Sequence, residues 1–320
     1  MRKMTPGSRA KRESLSSGRA GSRKTIPARQ VTASQAFGSA MRSCLNEFVA
    51  NEAGLRANQA KAVHRMRVAG RRLQSALAMF DRFAGKHADR LKDECNWLID
   101  ELSFAREIDV FAEDVLQAVL TGPGVPLIVR RVEKICMAQR RKAYRRANAA
   151  VLSLRYRRFL SHVQQMAVSV DGPAAAQHEA SEIALKALSA AWRELKVKKR
   201  IEELSRSRLH KLRLRSKRMR YSAEIAKGLL GKDGRSTNFD RLLKALSRLQ
   251  SALGAINDIA VHKTILRDFI LAVGGSDMPD DLVRKQIKIF LPEQKKRRRK
   301  LINKAARAYD AILDVGMCWA

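Results

Sequence analysis

Residues 64–76 read HRMRVAGRRLQSA and residues 210–223 read HKLRLRSKRMRYSA, and these two stretches decide the fold. On a helix that turns about 100° per residue, His64, Arg67 and Arg71 fall on one stripe, and apolar residues fall on the opposite side. In the first stretch no acidic residue balances these charges. Each stretch therefore predicts an amphipathic helix with one face for a hydrophobic core and one for an anion.

The two stretches also align with each other. Their aligned positions are His64 with His210, Arg67 with Arg213, and Arg71 with Lys217. Downstream, ELSFAREIDVFAEDVL (101–116) matches SALGAINDIAVHKTIL (251–266) more weakly, in the same order and at nearly the same spacing. This recurrence predicts an internal duplication, with one half at residues 34–170 and the other at residues 175–320.

Composition favours helices over sheets. Hydrophobic residues make up 45% of the chain but aromatic residues only 5%, and sheets draw on aromatic and β-branched residues. Glycine and proline cluster at residues 121–126, 171–175, 231–237 and 274–281, where they punctuate long helical patterns. We therefore predict an all-α protein made of two pseudo-symmetric helical bundles.

The charge of the chain points to polyanionic partners. Lys and Arg total 65 against 31 acidic residues, a formal net charge of +34, and such an excess favours binding to nucleic acid, an anionic membrane or inorganic polyphosphate. Residues 1–33 are rich in Arg, Lys, Ser and Gly and predict a disordered basic tail. A transit peptide has a similar composition. The folded domain then comprises residues 34–320.

Several other classes of protein are disfavoured. The four cysteines lie far apart and form no Cys-x-x-Cys pair, which argues against a zinc site or a disulfide framework and favours a reduced compartment. No apolar run is long enough to span a bilayer, and the first residues lack the apolar core of a secretory signal. We expect a cytoplasmic protein.

Catalytic motifs are missing from the sequence. There is no P-loop pattern, no HExxH and no carboxylate cluster for Mg²⁺. Glu107, Asp109 and Asp258 are interpreted as residues at helix starts, where capping and the helix dipole explain them. The remaining histidines are interpreted as ordinary: His87, His162, His178 and His262. We expect no metal, no cofactor and no enzymatic activity.

Two further predicted helices each carry a basic face, at corresponding places in the two halves. One face comprises Arg130, Lys134, Arg141 and Arg145, and the other comprises Arg297, Lys300, Lys304 and Arg307. A solvated face would mix both signs of charge, whereas these are nearly all positive. The run KKRRRK (295–300) has the composition of a localisation signal, but its place in an amphipathic helix favours a ligand-facing stripe. Four basic stripes would thus surround a shared groove.

The duplicated histidine helix, followed by LSFAREIDV and LGAINDIAV, resembles the CHAD family of histidine-bearing α-helical domains. LRYRRFL (154–160) also resembles a family element, and the resemblance covers nearly all of residues 34–320. The chain departs from the family pattern at Glu107, which stands for the usual Asp, and at Ser103, which stands for a Gly. It has no ExExK strand motif, so it is similar to a stand-alone CHAD protein without a triphosphatase-type CYTH module.

The resemblance implies two bundles around a basic central groove or pore that binds inorganic polyphosphate, and localisation to polyphosphate granules. With Arg220 of the same stripe, the expected polyphosphate-binding residues are His64, Arg67, Arg71, Arg72, His210, Arg213, Lys217, Arg218 and Arg220. The faces that contain Arg130 and Arg297 are expected to be secondary binding surfaces.

Non-enzymatic binding of polyphosphate is the leading hypothesis for function. An architectural nucleic-acid-binding protein is the alternative, because net charge alone does not distinguish one polyanion from another. An enzyme that acts on phosphate esters is a third hypothesis, and it would require a carboxylate or metal constellation that the sequence does not show.

Overall fold

The computed structural model describes residues 32–81, 88–121, 124–168, 180–229 and 236–319. These residues form helices and contain no β-strand, so the all-α prediction is confirmed. None of the described helices is both long and apolar enough to cross a membrane. The described residues begin at residue 32, so residues 1–31 of the predicted basic tail lie outside them.

Eleven α-helices follow one another in the described ranges. They are α1 (Ala33–Arg56), α2 (Ala60–Met79), α3 (Ala88–Phe111), α4 (Gln117–Leu120), α5 (Leu127–Leu152), α6 (Leu154–Val168), α7 (Ala180–Leu195), α8 (Arg206–Leu229), α9 (Ser236–Gly274), α10 (Asp280–Phe290) and α11 (Gln294–Val315). A π-helical turn, Ala112–Leu116, joins α3 to α4, and a 3₁₀ turn, Ile201–Glu203, precedes α8.

The first helix begins at a capping box. The Thr32 hydroxyl accepts a hydrogen bond from the Gln35 backbone N–H, and the Gln35 side-chain oxygen accepts one from the Thr32 backbone N–H, both at 3.2 Å. This exchange satisfies two N–H groups that a helix start otherwise leaves free. Helix α1 therefore starts beside the predicted domain boundary at residue 34.

The amphipathic faces predicted for α2 and α8 are confirmed. Met66, Gly70 and Leu73 of α2 are buried, as are Leu212 and Met219 of α8. Their burial is worth about 1.5–3 kcal/mol for each large apolar side chain. The basic stripes lie on the other side of each helix, where no core residue competes for the space.

Helices from both predicted halves share one hydrophobic core. It draws buried side chains from α1, α2, α3, α5 and α6 and from α7, α8, α9 and α11. A second, smaller core joins the end of α3 and the start of α5 to the last part of α9 and to α10, around Phe111, Val129 and Phe269. Neither half is therefore a separate domain with a core of its own.

The order of packing is the same in the two halves. Helix α2 packs on α1 and α3, and α3 packs on α5, while α8 packs on α7 and α9, and α9 packs on α11. Helices α2 and α8 also contact each other, so the two stretches that decide the fold are neighbours in space. The internal duplication itself stays a prediction.

The interpretation of the three acidic residues as helix-start residues was wrong. Glu107 and Asp109 lie near the end of α3, and Asp258 lies in the middle of α9. The 3.6-residue spacing of buried residues continues through Leu102 and Ala105, so the helix does not break there. Buried Asp109 accepts hydrogen bonds from Nε of Arg140 at 2.7 Å and from the hydroxyl of Tyr144 at 2.6 Å, which ties α5 to α3.

Gly70 sets the distance between α2 and α3. A Cβ atom at this position would lie 2.8 Å from Cγ1 and 2.9 Å from Cδ1 of Ile99, so any side chain would push the two helices apart. Arg67 and Arg71 lie on the same part of α2, and their positions depend on this close approach. Gly254, in the middle of α9, offers a contrast, because a Cβ atom there would meet no atom within 4 Å.

We expect Gly70→Ala to lower the free energy of unfolding by about 1–2 kcal/mol, because the overpacking exceeds the gain in helix propensity. Gly254→Ala should raise it by about 0.5–1 kcal/mol, because alanine favours a helix interior and has room here. Urea denaturation of both variants checks this pair. A stabilised Gly70→Ala variant would contradict the close α2–α3 contact.

Candidate anion-binding site

A cavity of about 260 Å³ lies between α2, α3, α8 and α9. We term it the cationic pocket, because seven of its lining residues carry basic side chains: His64, Arg67, Arg71, Arg106, Arg213, Lys217 and His262. Two carboxylates, Glu107 and Asp258, also line it. The strongly basic side chains therefore outnumber the acidic ones in the lining.

Residues that the sequence aligns between the two halves meet in the cationic pocket. The aligned pairs are Arg67 with Arg213, Arg71 with Lys217, Glu107 with Asp258, and Val110 with Val261. His64 lines the pocket but its counterpart His210 does not. The pocket is thus formed jointly by matching positions of the two halves.

The cations in this pocket disfavour one another's charge. Burial, and then the positive charges of Arg213 and Arg71, lower the pKa of Lys217 to about 8. Burial, and then repulsion from Arg71, lower the pKa of Arg67 to about 10. Both groups stay protonated at neutral pH. Burying these like charges together therefore lowers the stability of the folded protein.

Arg213 and His64 show the same effect. Burial lowers the pKa of Arg213, and the nearby carboxylate of Asp258 opposes that change. Partial loss of water contact, followed by the charges of Arg106 and Arg67, lowers the pKa of His64 below its ordinary value. Nε of Arg213 is buried and has no hydrogen-bond partner among the described residues, so this donor is available to a ligand.

The two carboxylates stand beside the guanidinium groups. Burial raises the pKa of Glu107, the charge of Arg67 opposes this, and the charge of Asp258 adds to it. Glu107 favours the charged form of Arg67 in return, and Asp258 favours that of Arg213. Each acid thus partly stabilises one arginine of the pocket.

Arg67 is held in place by α3. Its Nη1 donates to the backbone oxygen of Ile99 at 3.3 Å and to the hydroxyl of Ser103. The Ser103 hydroxyl in turn donates to the oxygen of Ile99 at 2.7 Å. The Ser103 hydroxyl thus orients a pocket arginine.

Three of the predicted site residues are paired with acids. Arg72 lies 3.8 Å and Arg220 lies 3.1 Å from carboxylate oxygens of Glu224, and Nη1 of Arg218 donates to Glu194 at 2.6 Å. None of the three lines the cationic pocket. The exposed Arg218–Glu194 pair contributes only about 0–1 kcal/mol to stability, whereas Arg220 and Glu224 are partly buried.

His210 lies outside the cationic pocket. It is exposed, its Nδ1 lies 3.3 Å from Oδ1 of Asn257, and it lines a neighbouring groove between α8 and α9. Asn257 lines both that groove and the cationic pocket. The sequence match between His64 and His210 therefore does not bring the two histidines into one cavity.

The two secondary basic faces also stay outside the cationic pocket. All eight side chains are exposed: Arg130, Lys134, Arg141 and Arg145 on α5, and Arg297, Lys300, Lys304 and Arg307 on α11. Arg297 is close enough for its positive charge to contribute to the lowered pKa of His262, after the larger effect of burial. The structure thus brings two of the four predicted stripes, those on α2 and α8, to a common cavity.

His262 is a pocket residue that the sequence interpretation treated as ordinary. It is buried, lines the cationic pocket and packs edge-on against Phe111, with ring centroids 5.8 Å apart. Phe111 is the residue that aligns with His262 in the first half. Because a phenylalanine occupies the matching position, the recurrence of histidines between the two halves gives no signal for His262.

No group of three or more His, Cys, Asp or Glu side chains able to hold a metal occurs within the described ranges. The polar groups of the cationic pocket are mainly donors that carry positive charge. Such groups suit a multivalent oxyanion, since guanidinium forks and ammonium groups donate charge-assisted hydrogen bonds to phosphate oxygens.

Comparison with known proteins identifies the family. The CHAD domain profile matches residues 39–267, and the chain belongs to the CHAD family. The crystal structure of the CHAD domain from the plant Ricinus communis is similar, with a TM-score of 0.64 and 26% identity over 89% of this chain and 92% of that chain.

PptA from Streptomyces chartreusis shares the fold, with a TM-score of 0.58 and 18% identity over 89% of this chain and 98% of that chain. The sequence has no match among proteins of curated function. The resemblance stated from the duplicated histidine helix is confirmed.

Lys217 provides a test of the repulsion in the pocket. Its pKa in the folded protein lies below that in the unfolded chain, so the charged form costs stability below about pH 8, and this cost disappears as the pH rises toward about 10. We expect Lys217→Met to raise the free energy of unfolding at pH 7 by about 1 kcal/mol, a value reduced for partial exposure. The gain should shrink at pH 10.

Lys211→Met is the matched control, because Lys211 is an exposed residue of the same helix and lines no part of the cationic pocket. Its stability should equal that of the wild-type protein at both pH values. Urea denaturation at low ionic strength measures all three proteins. A gain for Lys217→Met that is the same at pH 7 and pH 10 would show that packing, and not charge, is its cause.

Proposed function

We propose that the protein binds inorganic polyphosphate in the cationic pocket and does not act on it as an enzyme. One observation carries the proposal: cations from both halves line a single cavity. Burial, together with repulsion from neighbouring cations, lowers the pKa of Arg67, Arg213 and Lys217. A bound polyanion would reverse the effect, because opposite charge favours the protonated form of each group.

Binding would follow from simple electrostatics and hydrogen bonding. Arg67, Arg71 and Arg213 would each offer a planar fork of donors to two phosphate oxygens, and Lys217 would offer a point charge. The unpartnered Nε of Arg213 would gain an acceptor. Association would release counterions from both partners and would weaken steeply with salt.

The shape and lining of the pocket favour a bare phosphate chain over nucleic acid. At about 260 Å³ the cavity is small, and an unbranched chain of phosphates is narrow enough to enter it. Proteins that bind single strands stack bases on accessible aromatic rings, whereas Tyr221 and His262 are buried in the wall. Localisation to polyphosphate granules would follow from the same affinity.

The two pocket carboxylates are the groups that an enzymatic alternative would use. Glu107 and Asp258 share one cavity, a grouping that phosphate-ester chemistry would require. We propose that they act as partners of the arginines, because each favours the charged form of a neighbouring guanidinium. Incubation with polyphosphate and a divalent cation should release no orthophosphate, and sustained release that Glu107→Gln abolishes would contradict this.

The binding test compares two variants that each lose four positive charges. We expect Arg67→Ala/Arg71→Ala/Arg213→Ala/Lys217→Ala to lower the affinity for long-chain polyphosphate at least about 100-fold at about 150 mM salt, because charge-assisted bonds in a shielded site are lost. The control Arg130→Ala/Lys134→Ala/Arg141→Ala/Arg145→Ala should lose less than about tenfold, since exposed charges are screened.

Competition by duplex DNA and by RNA completes this experiment on the full chain. Polyphosphate that stays bound in excess nucleic acid supports the proposal. Equal competition, together with equal losses in the two quadruple variants, would mean that total charge governs binding and would favour the nucleic-acid alternative.

His64 predicts how binding depends on pH. Its pKa is lowered in the free protein by partial loss of water contact and by Arg106 and Arg67, which favours the neutral imidazole, and bound phosphate should raise its pKa. The affinity for polyphosphate should therefore increase as the pH falls below 7, with uptake of a proton.

His64→Gln should flatten this dependence of affinity on pH. His210→Gln should leave it intact, because His210 lies outside the pocket, and an equal effect of both variants would contradict the assignment.

A further inference from the structure

A second cavity adjoins the cationic pocket. It has a volume of about 530 Å³ and lies between α2, α7 and α8. Six of its fourteen lining residues are small or apolar: Ala78, Met79, Ala187, Ala190, Ala191 and Leu214. We term it the alanine pocket. Arg71, Lys217 and Tyr221 line both cavities, so a ligand that passes these residues would occupy both.

The two cavities differ in chemistry. The cationic pocket suits phosphate groups, whereas the methyl groups of the alanine pocket would remove water from a phosphate without replacing its hydrogen bonds. An apolar group, in contrast, gains free energy when it is buried there. A ligand that fills both cavities therefore needs an oligophosphate part and a part with apolar faces.

Polar groups in the alanine pocket show that a plain hydrocarbon is a poor match. The Ser222 side chain is buried and lines the wall. Gln74 and Ser75 also line the wall, and Glu194 lies there beside Arg218. An acyl chain would displace water from these polar groups and would offer them no hydrogen bond, which costs free energy. A nucleoside has apolar ring faces and polar edges and hydroxyls that would satisfy them.

We propose that the alanine pocket binds the nucleoside of a nucleoside oligophosphate whose phosphates extend past Arg71 and Lys217 into the cationic pocket. This inference rests on the proposed function, because the cationic pocket must hold the phosphates. The volume of the alanine pocket falls within the usual range of about 300–1,000 Å³ for small-molecule sites. Arg71 and Lys217 line both cavities, and their positive charges would hold the phosphates of the ligand on the side of the cationic pocket.

The test uses the full chain and two probes with the same number of phosphates, adenosine tetraphosphate and inorganic tetraphosphate. Isothermal titration calorimetry should show that the adenosine compound binds about tenfold more tightly, because the base buries apolar surface. Ala190→Phe fills the alanine pocket and should abolish this preference, with the affinity for inorganic tetraphosphate unchanged. Ala78→Phe, on the α2 side of the pocket, should do the same.

Ala149→Phe is the matched control, since Ala149 is exposed on α5 and lines neither cavity. It should keep the preference for adenosine tetraphosphate. Arg67→Ala/Arg213→Ala should weaken both probes in parallel, because both use the cationic pocket.

Two outcomes would overturn the inference and leave the proposed function standing. One is equal affinity of the two probes in the wild-type protein while long-chain polyphosphate still binds. The other is a preference for adenosine tetraphosphate that survives in both pocket-filling variants. Failure of the wild-type protein to bind polyphosphate or either tetraphosphate would instead contradict the proposed function and the inference together.

Discussion

The repulsion among the cations of α2 and α8 is the constraint around which the site is organised. Arg71 and Lys217 face one cavity with Arg67 and Arg213, and burial together with mutual repulsion lowers the pKa of Arg67 and Lys217. Packing the basic faces of α2 and α8 around one cavity costs free energy, because like charges repel each other. The apolar sides of the same helices hold them together, because their buried side chains belong to a core that both halves share.

The close approach of α2 to α3 gives this arrangement its geometry. Gly70 lets the helices meet at Ile99, and the backbone oxygen of Ile99 and the hydroxyl of Ser103 then receive the Arg67 guanidinium. Burial and hydrogen bonding thus act on the same few residues. An anion that enters the pocket would find its donors already oriented, which reduces the entropy lost on binding.

The acids of the protein have two distinct roles. Asp109 is buried and joins α5 to α3 through Arg140 and Tyr144. Glu107 and Asp258 lie in the cationic pocket, where they favour the charged forms of neighbouring arginines. The exposed cations of α5 and α11 form outer surfaces that add to the general attraction for polyanions, and Arg297 extends this positive charge toward His262.

The sequence alone determined the helical class, the apolar and basic faces of α2 and α8, and the family. These features are periodic and local, so they can be predicted from residues that lie three or four places apart in the sequence. Tertiary structure decided which faces meet: Arg67 and Arg213 share a cavity, His64 and His210 do not, and the exposed basic faces of α5 and α11 do not line it. Contacts between residues so distant in the chain depend on how helices pack around the shared core, which local periodicity does not encode. For the same reason the places of Glu107, Asp258 and His262 in the cationic pocket, and the alanine pocket beside it, emerged only from the folded protein.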